Sequence, residues 1–302
     1  MKKILKIVFD LIILALLVII IYCVETKKIP ALGSICGAVL GAMLPWSLKL
    51  FIDLFDNANW KTSERKLKRA KEINKNTKIR ISFAYLYRII VDGKYMLIMN
   101  SRNSGRYQPV GGVYKFNNEE EQFLRNNFHI EYDDKISIDE TSKKDYRLYI
   151  KDKYLRSFVK HFEKNTTNRE NETNISREFI EEIINDYKID KKQFGALRYS
   201  FKSRFISNVQ YSSLYECYEI LLADIYEFNL TNEQEQLLKE LGNQKNIKFV
   251  TEAEINRLGI DCDNKKNKEI ISNHSWKILA SNYDKAYKIF DNVEFTVNID
   301  EQ

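Results

Sequence analysis

Three glutamates lie close together in the stretch REFIEEI, which runs from Arg177 to Ile183. Read as a helix, the spacing i, i+3 and i+4 puts Glu178, Glu181 and Glu182 on one face. Carboxylates this close repel each other, and Mg²⁺ or Mn²⁺ would cancel the repulsion because both ions prefer oxygen ligands. A solvated acidic helix face explains the same letters, so the heptad by itself leaves both interpretations open.

Composition limits the other kinds of site that the chain offers. It has 302 residues, 44% of them hydrophobic and 30% charged, with a net charge of +6. That charge is modest for the length, so it does not indicate a nucleic-acid partner. The four cysteines are scattered without CxxC spacing, and they predict neither a disulfide framework nor a zinc site.

The first 56 residues are strongly apolar and differ from everything after them. Two apolar runs, Ile4–Val24 and Ile29–Phe55, are joined by the short segment ETKK. About 20 residues at 1.5 Å per residue are enough to cross a hydrocarbon core about 30 Å thick. The sequence therefore predicts a hairpin of two transmembrane helices, at about 4–24 and 31–54.

The second apolar run contains Gly33, Gly37 and Gly41, which form two overlapping GxxxG motifs. Within a membrane this spacing creates a face of small residues on which another helix can pack closely. The packing partner is either the first span or the same helix of another protomer. The second alternative predicts a homo-oligomer.

A basic linker is expected at 57–77, between the apolar part and the body of the chain. The segment Lys61–Arg80 holds nine basic and two acidic residues, whereas the loop between the apolar runs has only Lys27 and Lys28. This asymmetry predicts that both termini face the cytoplasm. Contact with anionic lipid headgroups is a further interpretation. DNA and RNA are not expected partners, because no aromatic residues are interleaved with the charges.

Residues 78–302 predict a domain of strands and helices. The segment Arg80–Arg102 is rich in β-branched and aromatic residues, and Asp92-Gly93 in its middle indicates a β-hairpin. Thr231 and Thr251 open the sequences TNEQ and TEAE, which are capping boxes, so a helix is expected after each. The expected fold class is α+β, with an α/β/α sandwich as the body.

The strand hairpin, the stretch QPVGG and the helix REFIEEI together resemble a Nudix domain. The family's motif combines an opening glycine, present here as Gly112, with a later R-E-hydrophobic-x-E-E segment, present here from Arg177 onwards. The resemblance implies that the three glutamates of that segment bind Mg²⁺ and that Arg177 orients them. It also implies that the metal activates water against a nucleoside diphosphate linkage.

The two halves of this motif are split by an insertion at about 118–168. The motif's first glutamate falls at Asn118 when counted from Gly112 and at Arg169 when counted back from Arg177, while Ile184 replaces a glycine. An insertion of this size is compatible with the sandwich, because loop-closure cost grows slowly with length. It weighs against catalysis, since small displacements of catalytic groups are costly.

Over the whole chain, two apolar runs followed by a split Nudix domain with a DYR stretch at 145–147 are similar to the SMODS-associated Nudix proteins. That resemblance implies an inner-membrane effector of a bacterial CBASS antiphage system, in which a CD-NTase makes a cyclic oligonucleotide upon infection. The Nudix-like domain would sense a cyclic di- or trinucleotide, and the two spans would then disrupt the membrane.

A phosphate-bearing ligand needs cations, backbone amides and flat faces, and the sequence offers all three. Stacking on a base is worth about 1–3 kcal/mol, which gives Tyr107 a role. The expected ligand-binding residues are Arg102, Arg106, Tyr107, Gly111, Gly112, Arg147 and Arg177.

Two other functions explain the same residues. A membrane-tethered nucleotide hydrolase would use the three glutamates with Mg²⁺ as its cofactor, although the missing first glutamate and Ile184 argue against it. A membrane-anchored interaction module would keep the Nudix fold without a ligand. Metal-dependent turnover would favour the hydrolase, and the lack of any nucleotide effect on thermal stability would favour the module.

Overall fold

The computed structural model describes residues 2–26, 30–55, 59–100, 105–135, 144–164, 170, 174–260 and 270–301. The chain divides into two compact units, Met1–Thr62 and Ser63–Gln302. Arg102, one of the expected ligand-binding residues, lies outside the described residues.

The first unit contains the helices α1 (Lys2–Thr26) and α2 (Pro30–Phe55) and the first residues of α3 (Trp60–Arg69). Over the described residues, none of the helices combines the length and the apolar character that a bilayer span requires. The prediction of a two-helix transmembrane hairpin is therefore wrong, and so is the two-pass inner-membrane location that it implied.

Polar residues and a proline interrupt the two apolar runs. The uncharged part of α1 extends only from Leu11 to Val24, which is shorter than the roughly 20 residues that a span needs. In α2, Pro45 lies inside the helix.

The glycine face of α2 makes little close contact in this structure. A Cβ atom built on Gly33 would lie 3.6 Å from Cγ1 of Val24, on α1. No described atom lies within 4 Å of a Cβ built on Gly37 or Gly41. The predicted close approach of another helix therefore involves α1 at Gly33 alone.

The larger sheet of the second unit has eight strands in the order β12-β8-β10-β1-β7-β6, with β5 beside β1 and β9 beside β10. The central strands β1 and β10 run parallel, whereas the other neighbours are antiparallel. The strands are β1 (Lys78–Arg88), β5 (Gly111–Val113), β6 (Glu131–Tyr132), β7 (Arg147–Lys151), β8 (Ala196–Ile206), β9 (Gln210–Ser212), β10 (Cys217–Phe228) and β12 (Lys288–Asn298). Because β1 lies in the middle of the sheet, both of its faces are buried, which explains its run of apolar and aromatic residues.

A smaller sheet has the order β11-β3-β2, with β4 beside β3. Its strands are β2 (Ile90–Val91), β3 (Lys94–Met99), β4 (Tyr107–Gln108) and β11 (Ile247–Val250). The predicted hairpin at Asp92-Gly93 is confirmed, since β2 pairs with β3 and both turn residues have positive φ. Such φ values are those of the type I′ turn that joins two strands directly.

The helices of the second unit surround these sheets. The α-helices are α4 (Asn118–Phe128), α5 (Asp152–Glu163), α6 (Ser176–Phe179), α7 (Lys191–Phe194), α8 (Asn232–Glu240) and α9 (Glu252–Asn256). A π-helix (Ile180–Asn185) continues α6, and 3₁₀-helices cover Leu241–Asn243, Asn273–Ile278, Ala280–Lys285 and Ile299–Glu301. The capping boxes predicted at Thr231 and Thr251 are both present.

The segment predicted as an insertion contributes to the core. Its strand β7 pairs with β1 from Lys78 to Ser82, so it extends the larger sheet. The following helix α5 packs Phe158 and Phe162 against Phe83 of β1, with ring centroids 5.8 and 4.7 Å apart. This part of the insertion is therefore structural, because its removal would expose the middle of the sheet.

Several basic residues of the predicted linker region form ion pairs within the second unit. Lys68 on α3 lies 2.6 Å from carboxylate oxygens of both Glu64 and Asp152. Arg156 of α5 binds the other oxygen of Glu64 at 2.7 Å. Glu64 and Asp152 are both buried, so these contacts attach α3 to α5.

Candidate functional site

A cavity of about 540 Å³ opens between β1, β5 and β10 of the larger sheet, the α6 helix and the 3₁₀-helix Asn273–Ile278, which we call the C-terminal 3₁₀-helix. This volume lies in the range of small-molecule binding sites. The charged and polar side chains of its described lining are Ser82, Asn100, Gln108, Lys115, Asp145, Arg147, Arg177, Glu178, Glu181, Glu182, His274 and Lys277. Gly111 and Gly112 also line it.

Arg177 holds the carboxylates on the helical side of the cavity. Its guanidinium donates to Glu178 Oε1 at 2.8 Å and to Glu181 Oε2 at 3.0 Å. Its Nε lies 3.5 Å from Oε1 of Glu170. These carboxylates raise the pKa of Arg177 although burial opposes the charge, so the residue remains an arginine cation. Arg177 thus contacts two of the three glutamates that it was expected to orient, and its role stays a prediction.

Glu170 supplies the carboxylate that residue counting failed to locate. Its Oε2 accepts a hydrogen bond of 3.3 Å from the backbone of Lys115, whose carbonyl oxygen in turn accepts from the backbone of Glu170 at 2.8 Å. Burial raises the pKa of Glu170 to about 6. The sequence signal was present, since Glu170 adjoins the counted position 169, but only the fold shows that its side chain reaches Arg177.

Glu182 differs from its neighbours in having an oxygen without a partner. Over the described residues, its buried Oε2 makes no hydrogen bond. Burial, with the nearby charges of Glu178 and Asp186, raises the pKa of Glu182 to about 8. Burial raises the pKa of Tyr85 well above its usual value, and the nearby charges of Glu170 and Glu178 raise it further. Over the described residues, the buried hydroxyl of Tyr85 also makes no hydrogen bond.

The backbone around these glutamates is wound as a π-helix from Ile180 to Asn185. Single π turns inside helices occur frequently at functional sites. The winding buries Ile180, Ile183 and Ile184 together, and Ile184 is the residue that replaces the motif's glycine. The simple α-helical spacing assumed from the sequence therefore does not describe Glu181 and Glu182.

The two glycines of QPVGG are required by close packing. A Cβ atom on Gly112 would lie 2.7 Å from the side chain of Glu178, and one on Gly111 would lie 2.3 Å from the carbonyl oxygen of Tyr85. Both distances are too short for a real contact. Glycine at 112 thus lets β5 approach α6, and glycine at 111 lets β5 approach β1.

The remaining expected ligand-binding residues are distributed unevenly. Arg147 lines the cavity, and its guanidinium donates to Asp145 Oδ2 at 3.2 Å. Arg106 and Tyr107 are not among the described lining residues. Instead, the hydroxyl of Tyr107 donates to the carbonyl oxygen of Lys245 at 2.7 Å, and its backbone forms a bridge with Ile271.

His274 and Lys277 were not expected from the sequence, because nothing in their spacing relates them to the motif. Both line the cavity from the C-terminal 3₁₀-helix, Asn273–Ile278. Burial lowers the pKa of His274 to about 4 and the pKa of Lys277 to about 8. His274 is therefore neutral at physiological pH, whereas Lys277 is mostly protonated.

The residues present do not form a ready metal site. Within the described part of the chain, no group of three or more His, Cys, Asp or Glu side chains has an arrangement that could hold a metal ion. Glu178 and Glu181 are already bound by Arg177. The unpartnered oxygen of Glu182 is the feature closest to a free metal ligand, and one oxygen is too few for Mg²⁺.

Comparison with known families identifies the family of the second unit. The sequence model of the family described as SMODS-associated NUDIX domain matches residues 78–279. The match covers about two thirds of the chain and includes every lining residue of the cavity. No curated protein matches the chain.

Proposed function

Because the chain belongs to the SMODS-associated NUDIX domain family, which is typical of CBASS-type antiphage effectors, we propose that its cavity binds a cyclic oligonucleotide as a signal. The proposal treats the domain as a sensor that returns the ligand intact. Its partner is a cyclic di- or trinucleotide. The observation that carries it is a cavity of about 540 Å³ lined by four basic side chains and by two glycines.

The cavity has the chemistry that phosphodiesters require. Guanidinium and ammonium groups bind phosphate oxygens through charge-assisted hydrogen bonds, and the lining holds Lys115, Arg147, Arg177 and Lys277. Gly111 and Gly112 line the cavity as well, so a ligand can approach their backbone. Leu86, Leu221 and Leu222 add apolar surface against which a base can lie.

The test uses the full chain with a panel of cyclic di- and trinucleotides, with and without Mg²⁺. Melting temperature and ligand integrity are followed in the same samples, and linear dinucleotides of the same bases serve as the ligand control. We expect one cyclic ligand to raise the melting temperature and to be recovered intact. At 100 times its Kd, a ligand adds about 2.7 kcal/mol to the free energy of unfolding.

A matched pair of variants identifies the binding site in the same assay. Arg147→Ala should reduce the ligand-induced shift, because it removes a cation from the lining. Lys160→Ala should leave the shift unchanged, because Lys160 is an exposed residue of α5 outside the lining. A panel without any effect on melting temperature would contradict the sensor and favour an interaction module that needs no ligand.

A second candidate, a metal-dependent nucleotide hydrolase, is favoured by one observation, the unpartnered and buried Oε2 of Glu182. Consumption of a ligand in the presence of Mg²⁺, abolished in Glu182→Gln, would support it. Recovery of intact ligand from the wild type under the same conditions would exclude this reaction for that ligand.

A further inference from the structure

Lys277 is a cation in the cavity that has no partner among the residues that the structure describes. Over the described residues its ammonium group makes neither a hydrogen bond nor a salt bridge. The nearest acidic influence on it is Glu219 of β10. Glu219 is already bound by Arg80, whose NH1 lies 3.0 Å from Glu219 Oε2 and whose Nε lies 2.7 Å from Asp133 Oδ2.

The other basic residues of the cavity differ from Lys277 in this respect. Arg177 is surrounded by carboxylates, and Arg147 binds Asp145. The positive charge of Lys115 lies close enough to Glu170 to lower the pKa of Glu170, which burial raises. An incoming anion therefore competes with acidic groups at these three residues and not at Lys277.

The position of Lys277 is determined by the core. Ile278 and Leu279, which follow it, are fully buried in the cluster that contains Leu86, Phe205 and Ile225. Trp276, which precedes it, packs edge-on against Phe205 with ring centroids 5.3 Å apart. The amine therefore faces the cavity from a backbone that is fixed on both sides.

The start of this segment is also fixed. Ile271 forms a bridge with Tyr107, and the backbone of Ser272 donates to the carbonyl oxygen of Tyr107 at 2.8 Å. Tyr107, expected from the sequence to stack on a base, is thus the residue that joins the 3₁₀-helix to the smaller sheet. Contacts between residues that are distant in sequence thus help to place Lys277 in the cavity.

An unpaired ammonium in partly dehydrated surroundings is unfavourable for the free protein, because burial penalises the charged form. Its three donors suit a group with several acceptor oxygens. A phosphodiester or pyrophosphate provides these oxygens and a negative charge together.

We propose that Lys277 binds a phosphate group of the ligand and that the C-terminal 3₁₀-helix is thereby a second wall of the nucleotide site, separate from the glutamate-bearing helix. This inference rests on the proposed function, because it assigns a phosphate contact to the same cavity. It adds a residue that the motif does not contain. The expected ligands are molecules with at least one phosphate group that can reach Lys277.

The experiment compares the full-length wild type with Lys277→Met, Lys277→Arg and the exposed control Lys160→Met. Two probes are titrated by calorimetry in the presence of EDTA: inorganic pyrophosphate, and the cyclic oligonucleotide that stabilises the wild type. EDTA removes divalent metal ions, so binding through Lys277 is measured without any metal ion held by the glutamates. The melting temperature of each variant is recorded without ligand.

We expect Lys277→Met to weaken binding of both probes about tenfold or more, as the loss of a charged hydrogen bond does. The same variant should melt at or above the wild-type temperature when no ligand is present, since it removes a dehydrated charge. Lys277→Arg should retain most of the affinity, and Lys160→Met should match the wild type.

Wild-type affinity in Lys277→Met would overturn the proposal. Equal loss of affinity in the methionine and arginine variants, together with lower melting temperatures, would also overturn it by showing a structural role. If no cyclic oligonucleotide binds the wild type, the proposed function fails, and pyrophosphate still decides the role of Lys277. Binding of neither probe by the wild type would remove both proposals.

Discussion

At the scale of single residues, the site depends on groups whose positions are set by close packing and burial. Gly111 and Gly112 are adjacent, yet a side chain at each would meet different obstacles. A Cβ on Gly111 would meet the backbone of Tyr85, which cannot move without disturbing β1. A Cβ on Gly112 would meet the side chain of Glu178, which can rotate away.

Alanine at these two positions should therefore have unequal effects. We expect Gly111→Ala to lower the free energy of unfolding by about 3 kcal/mol or more, in the upper range for overpacked sites. Gly112→Ala should lower it by about 1 kcal/mol, while displacing Glu178 from Arg177 and weakening ligand binding. Urea unfolding of the two variants measures the difference, and equal effects would contradict the packing described at β5.

His274 should make the protein sensitive to acid. Its pKa is about 4 in the folded protein, whereas an ordinary histidine has a pKa near 6.5. The unfolded chain therefore binds a proton first as pH falls, so stability is lost between pH 6.5 and pH 4.

His274→Gln should remove this loss. Between pH 7 and pH 5, the wild type should lose about 1–2 kcal/mol more of its unfolding free energy than the variant does. Urea unfolding at both pH values measures this difference. His129→Gln, at an exposed position of the helix α4 C-cap, is the control and should behave as the wild type does. Equal acid loss in wild type and His274→Gln would contradict the burial of His274.

At the scale of elements, a buried ion pair joins strands β8 and β10 of the larger sheet, and β10 lines the cavity. Arg204 and Asp224 are register partners and form two hydrogen bonds, of 2.5 and 2.6 Å. The hydroxyl of Tyr114 donates to Asp224 Oδ2 at 2.8 Å. Both charged groups are nearly inaccessible to solvent, so each depends on the other.

Removing one member of this pair should be costly. Asp224→Ala leaves the guanidinium of Arg204 buried without a carboxylate, and we expect a loss of about 3–5 kcal/mol in unfolding free energy. Glu131→Ala breaks the exposed pair with Lys78 of β1, and it should cost at most about 1 kcal/mol. Urea unfolding of both variants compares the two losses, and a small effect of Asp224→Ala would show that solvent reaches Arg204.

At the scale of the whole molecule, the segment that interrupts the motif forms part of the same domain. Strand β7 and helix α5 complete the sheet and its aromatic core, and Arg147 at the start of β7 reaches the cavity. The chain beyond residue 270 adds His274 and Lys277 to the lining. The cavity thus draws on five separated parts of the sequence (82–115, 145–147, 177–182, 221–223 and 274–277), which accounts for its mixture of acidic and basic groups.

Local patterns in the sequence predicted much of the second unit. The Asp92-Gly93 hairpin and the capping boxes at Thr231 and Thr251 depend on neighbouring residues only, and all are confirmed. The Nudix resemblance is confirmed by the family match at 78–279. The two transmembrane spans were wrong, because over the described residues no helix has the length and apolar character needed to cross a membrane.

The sequence by itself determined the family and the motif residues on one helix, since both rest on residues that are close together in the chain. Tertiary structure decided which distant groups join them. Glu170 meets Arg177 although residue counting excluded it, and Lys277 reaches the cavity from a segment without a motif. Tyr107 supports that segment instead of lining the cavity. The physical reason is that burial and long-range strand pairing set these contacts, and neither leaves a periodic signal in the local sequence.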